Sequence, residues 1–373
     1  LISVFGLIYH RGVIYKSSIN KLELLQEYNK KHIELFFSQA GNQVRILSEN
    51  KDVISAIQEF KDAYNSIEND NYYTSSARSI EDVSAMLVNY YETEYLDKLS
   101  NRLETELDAE HLIPGSNNSK ILQYLYIASN SKSAKSKHLL NRAEDGSAYS
   151  AVHNMYHSFF RDWLTRFKYD DIYLVDIKSG NIIYSVQKKL DFATNLISGP
   201  YSNSNLSEAY KSAAGALNSN YTITVDLENY FPSVLEPSLF IASPVFDNLE
   251  KTGVLVFQIS INTIDDLLHI RKLKDDSESD DNIQTLIVGE DRYLRNNDIR
   301  FTRDKEEFLR SLRKVKANIG AVNKIERLTT TALIQSVSKE LLLDNNDGYA
   351  GRGKYKDISK TSYLCTYTPL IIK

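Results

Sequence analysis

The chain has 373 residues, of which 42% are hydrophobic and 25% are charged, and its formal net charge is −5. This composition supports a large buried core and argues against general disorder, and the length predicts two or three domains at roughly 150 residues each. Because lysine and arginine are scattered among the acidic residues, the sequence offers no basic surface, and we expect no nucleic-acid partner. The single cysteine, Cys365, excludes an internal disulfide and any metal site that needs several cysteines.

The two ends of the sequence are apolar. The chain opens with Leu1 to Tyr9, followed by His10 and Arg11, and closes with Pro369 to Ile372. It contains no run of about 18 uncharged apolar residues, so no complete membrane span is predicted. An apolar start followed by polar residues is typical of the outer end of a membrane helix, which predicts attachment to a membrane through flanking helices. A soluble fragment numbered from an internal residue is the alternative.

Long helices are predicted in the first third of the chain. Residues Ser17 to Phe60 contain no proline and carry apolar side chains at three- and four-residue steps. After a polar break at Asn69 to Ser76, helical spacing resumes from Ser79 to about Leu107. A helix longer than about 60 Å either lies along several modules or pairs with a partner chain. We therefore predict a helical stalk over residues 1–110 and a homodimer formed through the N-terminal helix.

After a helix predicted at His153 to Phe167, the spacing of apolar residues changes from three or four residues to the alternation that is typical of strands. Asp171 to Asp176 and Ile182 to Val186 flank a short turn and predict a β-hairpin. A short helix follows at Leu206 to Leu217. Three further strands are predicted at Tyr221 to Val225, Leu239 to Ala242 and Gly253 to Ile261. This order predicts an α+β fold with a PAS-like antiparallel sheet over residues 111–262.

A smaller copy of this module is predicted over residues 263–373. A weaker hairpin is predicted at Gln284 to Val288 and Arg292 to Leu294, and helical or irregular structure at Glu306 to Arg313. Thr361 to Thr368 predicts a strand. The pattern ends before a final strand, so we expect this second module to be truncated there.

Eight short segments between residues 122 and 262 form a recurrent pattern. They are Leu122–Ile127, Ser136–Leu140, Tyr169–Asp176, Gly180–Val186, Asp191–Leu196, Gly199–Ser202, Phe240–Asp247 and Gly253–Gln258. Together they resemble the double-Cache sensor regions of bacterial transmembrane receptors, and Leu286–Gly289 and Tyr367–Leu370 resemble segments of the second module. The resemblance implies a periplasmic, often dimeric sensor that binds a small molecule in its membrane-distal module and transmits a helix displacement. The output domain of such receptors is a chemotaxis helix, a kinase, a cyclase or a phosphatase.

Common enzyme signatures are absent from the sequence. It contains no phosphate-binding loop, no dinucleotide fingerprint and no nucleophile elbow. His153 and His157 lie four residues apart on a predicted helix, but no third ligand accompanies them, so packing is favoured over metal binding. Asp344 to Gly348 fails the calcium-loop pattern because Leu343 would occupy the first ligand position. We expect no catalytic activity, no cofactor and no metal.

Candidate ligand-binding residues surround the first predicted sheet. A small ligand needs a largely apolar wall with a few fixed polar groups, which aromatic and amide side chains provide. The candidates are Tyr184, Asn195, Tyr201, Asn203, Asn205, Asp226, Tyr230 and Phe240.

Asp226 is the most specific of these candidates. It follows a predicted strand, at the position where related Cache pockets use an acid to hold a ligand amine. The alternative is that Asp226 caps the turn from Leu227 to Tyr230. Two functions therefore stay open: a small-molecule sensor, and an interaction and dimerisation module that senses a partner protein without any small ligand.

Overall fold

The computed structural model describes residues 2–69, 79–104, 107–269, 283–337 and 350–372, with side chains from residue 15 onward except that of residue 269. These residues divide into two compact units, Gln39–Thr263 and Leu1–Ser38 with Ile264–Lys373. Both units mix helices with antiparallel strands, so the predicted α+β class is confirmed. Within the described ranges, no helix is both long and apolar enough to cross a membrane. The rejected calcium loop lies outside the described residues, and the predicted boundaries at 110 and 262 stay predictions.

Two helices occupy the beginning of the chain. Helix α1 spans Ile2–Ser48 and α2 spans Lys51–Ser66. The prediction of one continuous helix from Ser17 to Phe60 is therefore wrong. The break lies at Asn50, whose backbone is extended and whose side-chain oxygen accepts a hydrogen bond from the Asp52 backbone N–H at 2.7 Å. An N-cap of this kind starts a new helix because it satisfies one of the unpaired amides of the first turn.

Among the described residues before the sheet, three further α-helices are longer than one turn, and a short one spans Asp97–Leu99. The three longer helices are α3 (Ile80–Tyr90), α4 (Asn117–Gln123) and α5 (Ala148–Phe167). Serine hydroxyls cap all three, and Ser79 and Asp82 form a reciprocal capping box at α3. Helices α3 and α4 each continue into a π-helical turn, at Tyr91–Leu96 and Tyr124–Ala128. Such turns are rare and occur frequently at functional sites.

A five-stranded antiparallel sheet forms the centre of the unit Gln39–Thr263. Its strands are β1 (Asp171–Asp176), β2 (Ile182–Ser185), β3 (Ile223–Tyr230), β4 (Glu236–Asp247) and β5 (Glu250–Ser260), in the spatial order β2-β1-β5-β4-β3. Helix α6 (Asn205–Gly215) lies between β2 and β3 in the chain. All five predicted strands are present. Strands β3 and β4 are longer than predicted, because their ends carry polar residues that interrupt the alternating pattern.

The two faces of this sheet pack against different helices. Helix α6 covers one face, where Val225, Phe240 and Val256 belong to the buried core. Helices α2 and α5 cover the other face, where the rings of Phe60 and Phe160 lie 4.8 and 5.0 Å from the ring of Tyr184. The sheet is thus buried on both sides.

Within the described residues, the unit Leu1–Ser38 with Ile264–Lys373 contains the first part of α1, several short helices and two strands. Its elements after α7 (Ile261–His269) are α8 (Ile299–Arg303), α9 (Lys305–Lys314), α10 (Ile319–Leu328), β6 (Gly351–Lys356) and β7 (Ser362–Tyr367). Helix α9 and strand β7 match the predicted elements, whereas the predicted hairpin around Gly289 consists of a single bridge between Val288 and Leu294. Among residues 283–337 and 350–372 the sheet has two strands. A second PAS-like module stays a prediction.

Candidate functional site

A cleft of about 210 Å³ opens at the β3 edge of the five-stranded sheet, beside the first turn of α6. One wall is the loop that leads into α6, and the other is the end of β3 with the turn that follows it. The lining residues are Pro200, Tyr201, Asn203, Ser204, Asn205, Glu228, Asn229, Tyr230, Phe231 and Pro232. Two prolines and three aromatic rings form the apolar part of the walls, and five polar or charged side chains form the rest, so the lining is mixed. This combination is typical of small-molecule sites.

Asn205 joins the start of α6 to the sheet. Ser204 caps the helix by accepting a hydrogen bond from the Ser207 backbone N–H at 3.3 Å, which places Asn205 in the first turn. The Asn205 side-chain Nδ2 donates to the carbonyl oxygens of Asp226 at 3.0 Å and Ser238 at 2.7 Å. The side chain is 1% exposed, and its Oδ1 has no hydrogen-bond partner among the described residues. A buried acceptor without a hydrogen bond lowers the stability of the fold by about 1–3 kcal/mol unless water or a ligand pairs with it.

Two other lining residues, Tyr201 and Asn229, also carry buried polar atoms that lack a hydrogen-bond partner among the described residues. The Tyr201 ring stacks with that of Phe231 at 6.3 Å, and the side chain is 5% exposed. Burial raises the pKa of Tyr201 well above its usual value, so the hydroxyl keeps its proton. Neither this hydroxyl nor Asn229 Oδ1 has a partner in the part of the chain that the structure describes. Tyr201, Asn205 and Asn229 thus all line the cleft, and each carries one unpaired buried polar atom.

A buried carboxylate lies behind the cleft wall. Asp191 is fully buried, and its Oδ2 accepts a hydrogen bond from the Tyr230 hydroxyl at 2.6 Å. The Tyr173 hydroxyl lies 2.9 Å from the same oxygen and 3.0 Å from Gln258 Oε1. Lys189 Nζ donates to Gln258 Oε1 at 2.7 Å. Burial raises the pKa of Asp191, while the two tyrosine hydroxyls stabilise its charged form.

The turn after β3 has an unusual backbone. Val234 and Leu235 both have positive φ angles, of 58° and 61°. A left-handed conformation is costly for a β-branched residue such as Val234, and strain of this kind persists only where surrounding contacts impose it. Here the Tyr95 hydroxyl donates to the Phe231 carbonyl, and Arg102 donates to the Val234 carbonyl at 2.8 Å. The segment after α3 therefore holds a wall of the cleft in place.

The structure brings together part of the predicted site. Tyr201, Asn203, Asn205 and Tyr230 all line the cleft. Phe240 is fully buried beneath them, with its ring 4.9 Å from that of Tyr230. These five predicted residues share one face of the sheet.

The other three predicted residues lie elsewhere. Tyr184 faces α2 and α5 because a bulge between Leu174 and Val175 shifts the pairing of β1 with β2. Asn195 holds its own loop, with Oδ1 accepting from the Ser198 backbone N–H at 2.9 Å.

Asp226 is exposed, and its Oδ1 accepts from the Leu227 backbone N–H at 2.7 Å. It is not among the residues that line the cleft, and the turn-capping interpretation is also wrong, because Leu227 to Tyr230 belong to strand β3 and Asp226 lies at the bulge of that strand.

Sequence reasoning missed Asp191 and Gln258. Each is a polar side chain that is fully buried in the structure. Gln258 interrupts the apolar run of β5, which was the available signal, because buried polar groups need partners. Asp191 follows two lysines in a polar loop and gave no such signal.

The histidine pair lies on the opposite face of the sheet. His157 Nε2 lies 2.6 Å from the His138 carbonyl oxygen, which can only accept, so Nε2 carries a proton, and Nδ1 lies 2.7 Å from the Tyr184 hydroxyl. Burial lowers the pKa of His157 to about 3. The His153 ring stacks on it at 4.3 Å. In the described ranges, no group of three or more potential metal-ligating side chains occurs. These contacts describe a packed core.

Comparison with known proteins identifies no family. No family model matches the chain, and no curated protein matches it. Among solved structures, the chain is similar to the sensor domain of the histidine kinase DctB from V. cholerae, with 14% sequence identity and a TM-score of 0.32. That alignment covers 75% of this chain and 91% of the DctB domain.

Proposed function

We propose that this chain is the extracytoplasmic sensor region of a transmembrane signalling receptor and that the cleft beside α6 binds a small molecule. The observation that carries this proposal is that three residues lining one cleft, Tyr201, Asn205 and Asn229, each carry a buried polar atom without a partner among the described residues. Protein interiors rarely leave such atoms unpaired. A bound ligand would supply the missing partners. Binding makes and breaks no covalent bond, so we propose no catalysis by this region.

The strained turn offers a route from the cleft to the helices. Phe231 lines the cleft, and the segment after α3 contacts the same turn through Tyr95 and Arg102. A ligand that prefers one arrangement of this turn shifts the population toward it by its difference in affinity for the two arrangements. We propose that this shift displaces α3 and that helices flanking the region carry the displacement through the membrane to an output domain.

A homodimer formed through α1 is part of the same proposal. Leu24, Tyr28, Leu35 and Ile46 are between 45% and 70% exposed. At about 100° per residue these four positions fall within about 40° of one another around the helix axis. An exposed apolar stripe on a long helix is the pattern by which two such helices pair.

The cleft proposal is tested by a thermal-shift screen of the chain against amines, amino acids, organic acids, purines and sugars. A ligand that binds only the folded state raises the melting temperature by mass action, equivalent to about 2.7 kcal/mol at one hundred times Kd. In Asn205→Ala, the melting temperature with ligand should equal that of the same variant without ligand. Asp226→Ala, which changes an exposed side chain beside the cleft, should retain it. If no compound of the panel raises the melting temperature, the result would support the interaction and dimerisation module instead.

The dimer proposal is tested separately by sedimentation velocity. The double variant Leu24→Glu, Leu35→Glu should convert a dimer to a monomer, because it places charges in the apolar stripe. Leu249→Glu is the control, since Leu249 is 97% exposed in the turn between β4 and β5. A wild-type chain that sediments as a monomer at all accessible concentrations would overturn pairing through α1.

A further inference from the structure

Positive charge is concentrated in one part of the chain. Residues 283–337 and 350–372 contain 15 lysines and arginines against 8 aspartates and glutamates, a net charge of +7, whereas the whole chain carries −5. All of these residues belong to the unit Leu1–Ser38 with Ile264–Lys373. A charge asymmetry of this size within one chain is typical of proteins that bind a negatively charged surface.

Several acidic side chains of this unit are already paired with arginines. Arg300 bridges two fully buried carboxylates, Asp298 at 2.5 Å and Asp357 at 2.6 Å. Arg313 and Glu326 form a further ion pair at 2.5 Å between α9 and α10. The surplus of positive charge therefore lies on other side chains, which include exposed lysines.

Four exposed lysines lie where the end of α9 contacts the turn between β6 and β7. Lys360 Nζ donates to the Lys316 carbonyl oxygen at 3.4 Å, although the two residues are 44 positions apart in the chain. Lys314 ends α9 and Lys356 ends β6. Among the described residues none of the four forms an ion pair, and we call them the lysine patch. The sequence pattern did not predict this basic surface, because it depends on a contact between distant segments.

The lysine patch keeps a net positive charge. The helix dipole gives the C-terminal end of α9 a partial charge of about −0.5, which favours nearby cations but does not balance four of them. Like charges at close range repel one another, so an anionic surface that neutralises the patch binds favourably.

An exposed isoleucine lies beside the lysine patch. Ile319 is the first residue of α10, three positions after Lys316, and its side chain is 66% exposed. Asn318 caps this helix by accepting a hydrogen bond from the Ala321 backbone N–H at 3.1 Å, so the helix start fixes the position of Ile319. Cations around an exposed apolar side chain are typical of surfaces that bind a membrane where headgroups meet acyl chains. A soluble polyanion would use the lysines but not the isoleucine.

We propose that the lysine patch and Ile319 form a docking surface for a membrane that contains anionic lipids. The lysine ammonium groups bind headgroup phosphates, and Ile319 enters the boundary between headgroups and acyl chains. The inference rests on the proposed function in one respect, since a receptor held in a membrane keeps this surface within reach of lipids. It involves no residue of the cleft.

The test is co-sedimentation of the whole chain with vesicles of phosphatidylcholine alone and with vesicles that also contain phosphatidylglycerol. We expect at least about tenfold stronger partitioning onto the anionic vesicles, because each lysine near such a surface adds about a factor of five. Added salt should reduce this difference by screening. The triple variant Lys314→Gln, Lys316→Gln, Lys360→Gln should lose at least about tenfold of the partitioning onto anionic vesicles.

A second triple variant controls for net charge. Lys132→Gln, Lys135→Gln, Lys168→Gln removes the same charge from exposed lysines of the unit Gln39–Thr263 and should bind like the wild type. Ile319→Ser should weaken partitioning at least about threefold, because serine gains little from contact with acyl chains. Any binding through the apolar first residues of the chain occurs with both kinds of vesicle and in both triple variants.

The outcomes separate this docking surface from the cleft. Equal partitioning onto the two kinds of vesicle, or equal partitioning by the two triple variants, would overturn the docking surface. Tighter binding to dextran sulfate than to the anionic vesicles, with no effect of Ile319→Ser, would assign the lysine patch to a soluble polyanion and also overturn the membrane proposal. A ligand found in the thermal-shift screen would leave the sensor standing in either case.

Discussion

The two faces of the five-stranded sheet use buried aromatic residues in different ways. On the face toward α2 and α5, the ring centroid of Phe60 lies 5.4 Å from that of Tyr149 and 4.8 Å from that of Tyr184. On the face toward α6, the helix contributes small residues such as Ala209 and Ala213, and the tyrosine hydroxyls of β1 and β3 converge on Asp191. The first face fills its space with rings. The second leaves room for a cleft beside the first turn of α6.

The largest expected effect tests the ring-packed face. Phe60→Ala removes a fully buried ring that contacts Tyr149 and Tyr184, and we expect it to lower the free energy of unfolding by about 3–5 kcal/mol. Phe167→Ala, on α5 with 38% of the side chain exposed, should cost clearly less. Urea denaturation measures both. Equal costs for the two variants would contradict a stabilising role specific to the ring cluster.

The next effect tests the face toward α6. Asp191→Ala leaves the buried hydroxyls of Tyr173 and Tyr230 without their acceptor, and we expect a loss of about 2–4 kcal/mol. Asp162→Ala changes an exposed carboxylate on α5 and should be close to neutral. Urea denaturation again provides the comparison. A change below about 0.5 kcal/mol in Asp191→Ala would show that this carboxylate is not the centre of the network.

A pH effect tests the charge buried on the ring-packed face. Lys188 is 3% exposed, with Nζ 4.4 Å from the Tyr184 ring centroid, and burial lowers its pKa to about 7 from the usual 10.5. The facing titratable groups, Asp171, His153 and His157, all titrate below this range. Between pH 7 and 10.5 the unfolded chain binds the extra proton, so the free energy of unfolding should rise with pH by up to about 1.4 kcal/mol per unit.

Urea denaturation at pH 7, 8 and 9 measures this slope. Lys188→Met should remove it, because no amine then needs to lose its proton on folding. Lys178→Met, an exposed lysine in the β1–β2 turn, should keep it. Identical slopes in the two variants would refute the assignment of the pH effect to Lys188.

The smallest expected effect has the opposite sign and tests the strained turn beside the cleft. Val234→Gly relieves a positive φ of 58°, and we expect the protein to gain about 1 kcal/mol in unfolding free energy. Val315→Gly is the matched control, because Val315 is similarly half-buried but has a φ of −86°, and it should lose stability. If Val234→Gly also loses stability, the turn stores no strain.

Prediction succeeded where local patterns suffice. Strand β1 has the predicted bounds, and the helix before it ends at the predicted Phe167. Alternating or three- to four-residue spacing is a property of neighbours in the chain, and it needs no knowledge of the packing. The aromatic and amide residues of the loop before α6, which were chosen because such side chains suit a binding surface, line the cleft, and their role in binding stays a prediction.

Prediction failed where the outcome depends on residues distant in the chain. Asp191 gains its role from Tyr230, which is 39 positions away, and Asn205 gains its orientation from Ser238, which is 33 positions away. No local pattern encodes these pairs. Asp226 was chosen from the sequence as the most specific binding residue for the same reason. Its exposure depends on the bulge in β3 between Val225 and Glu228, which no local pattern predicts.

The sequence by itself determined the α+β class, the five strands of the main sheet and the absence of common enzyme signatures, because spacing and motifs are local properties. Tertiary structure decided which side chains meet. A bulge moved Tyr184 to the ring-packed face, and the hydrogen bonds of Asn205 to carbonyls of β3 and β4 placed it in one cleft with Glu228. Strand register controls these outcomes because successive side chains point to opposite faces of a sheet, so a shift of one residue exchanges core and site.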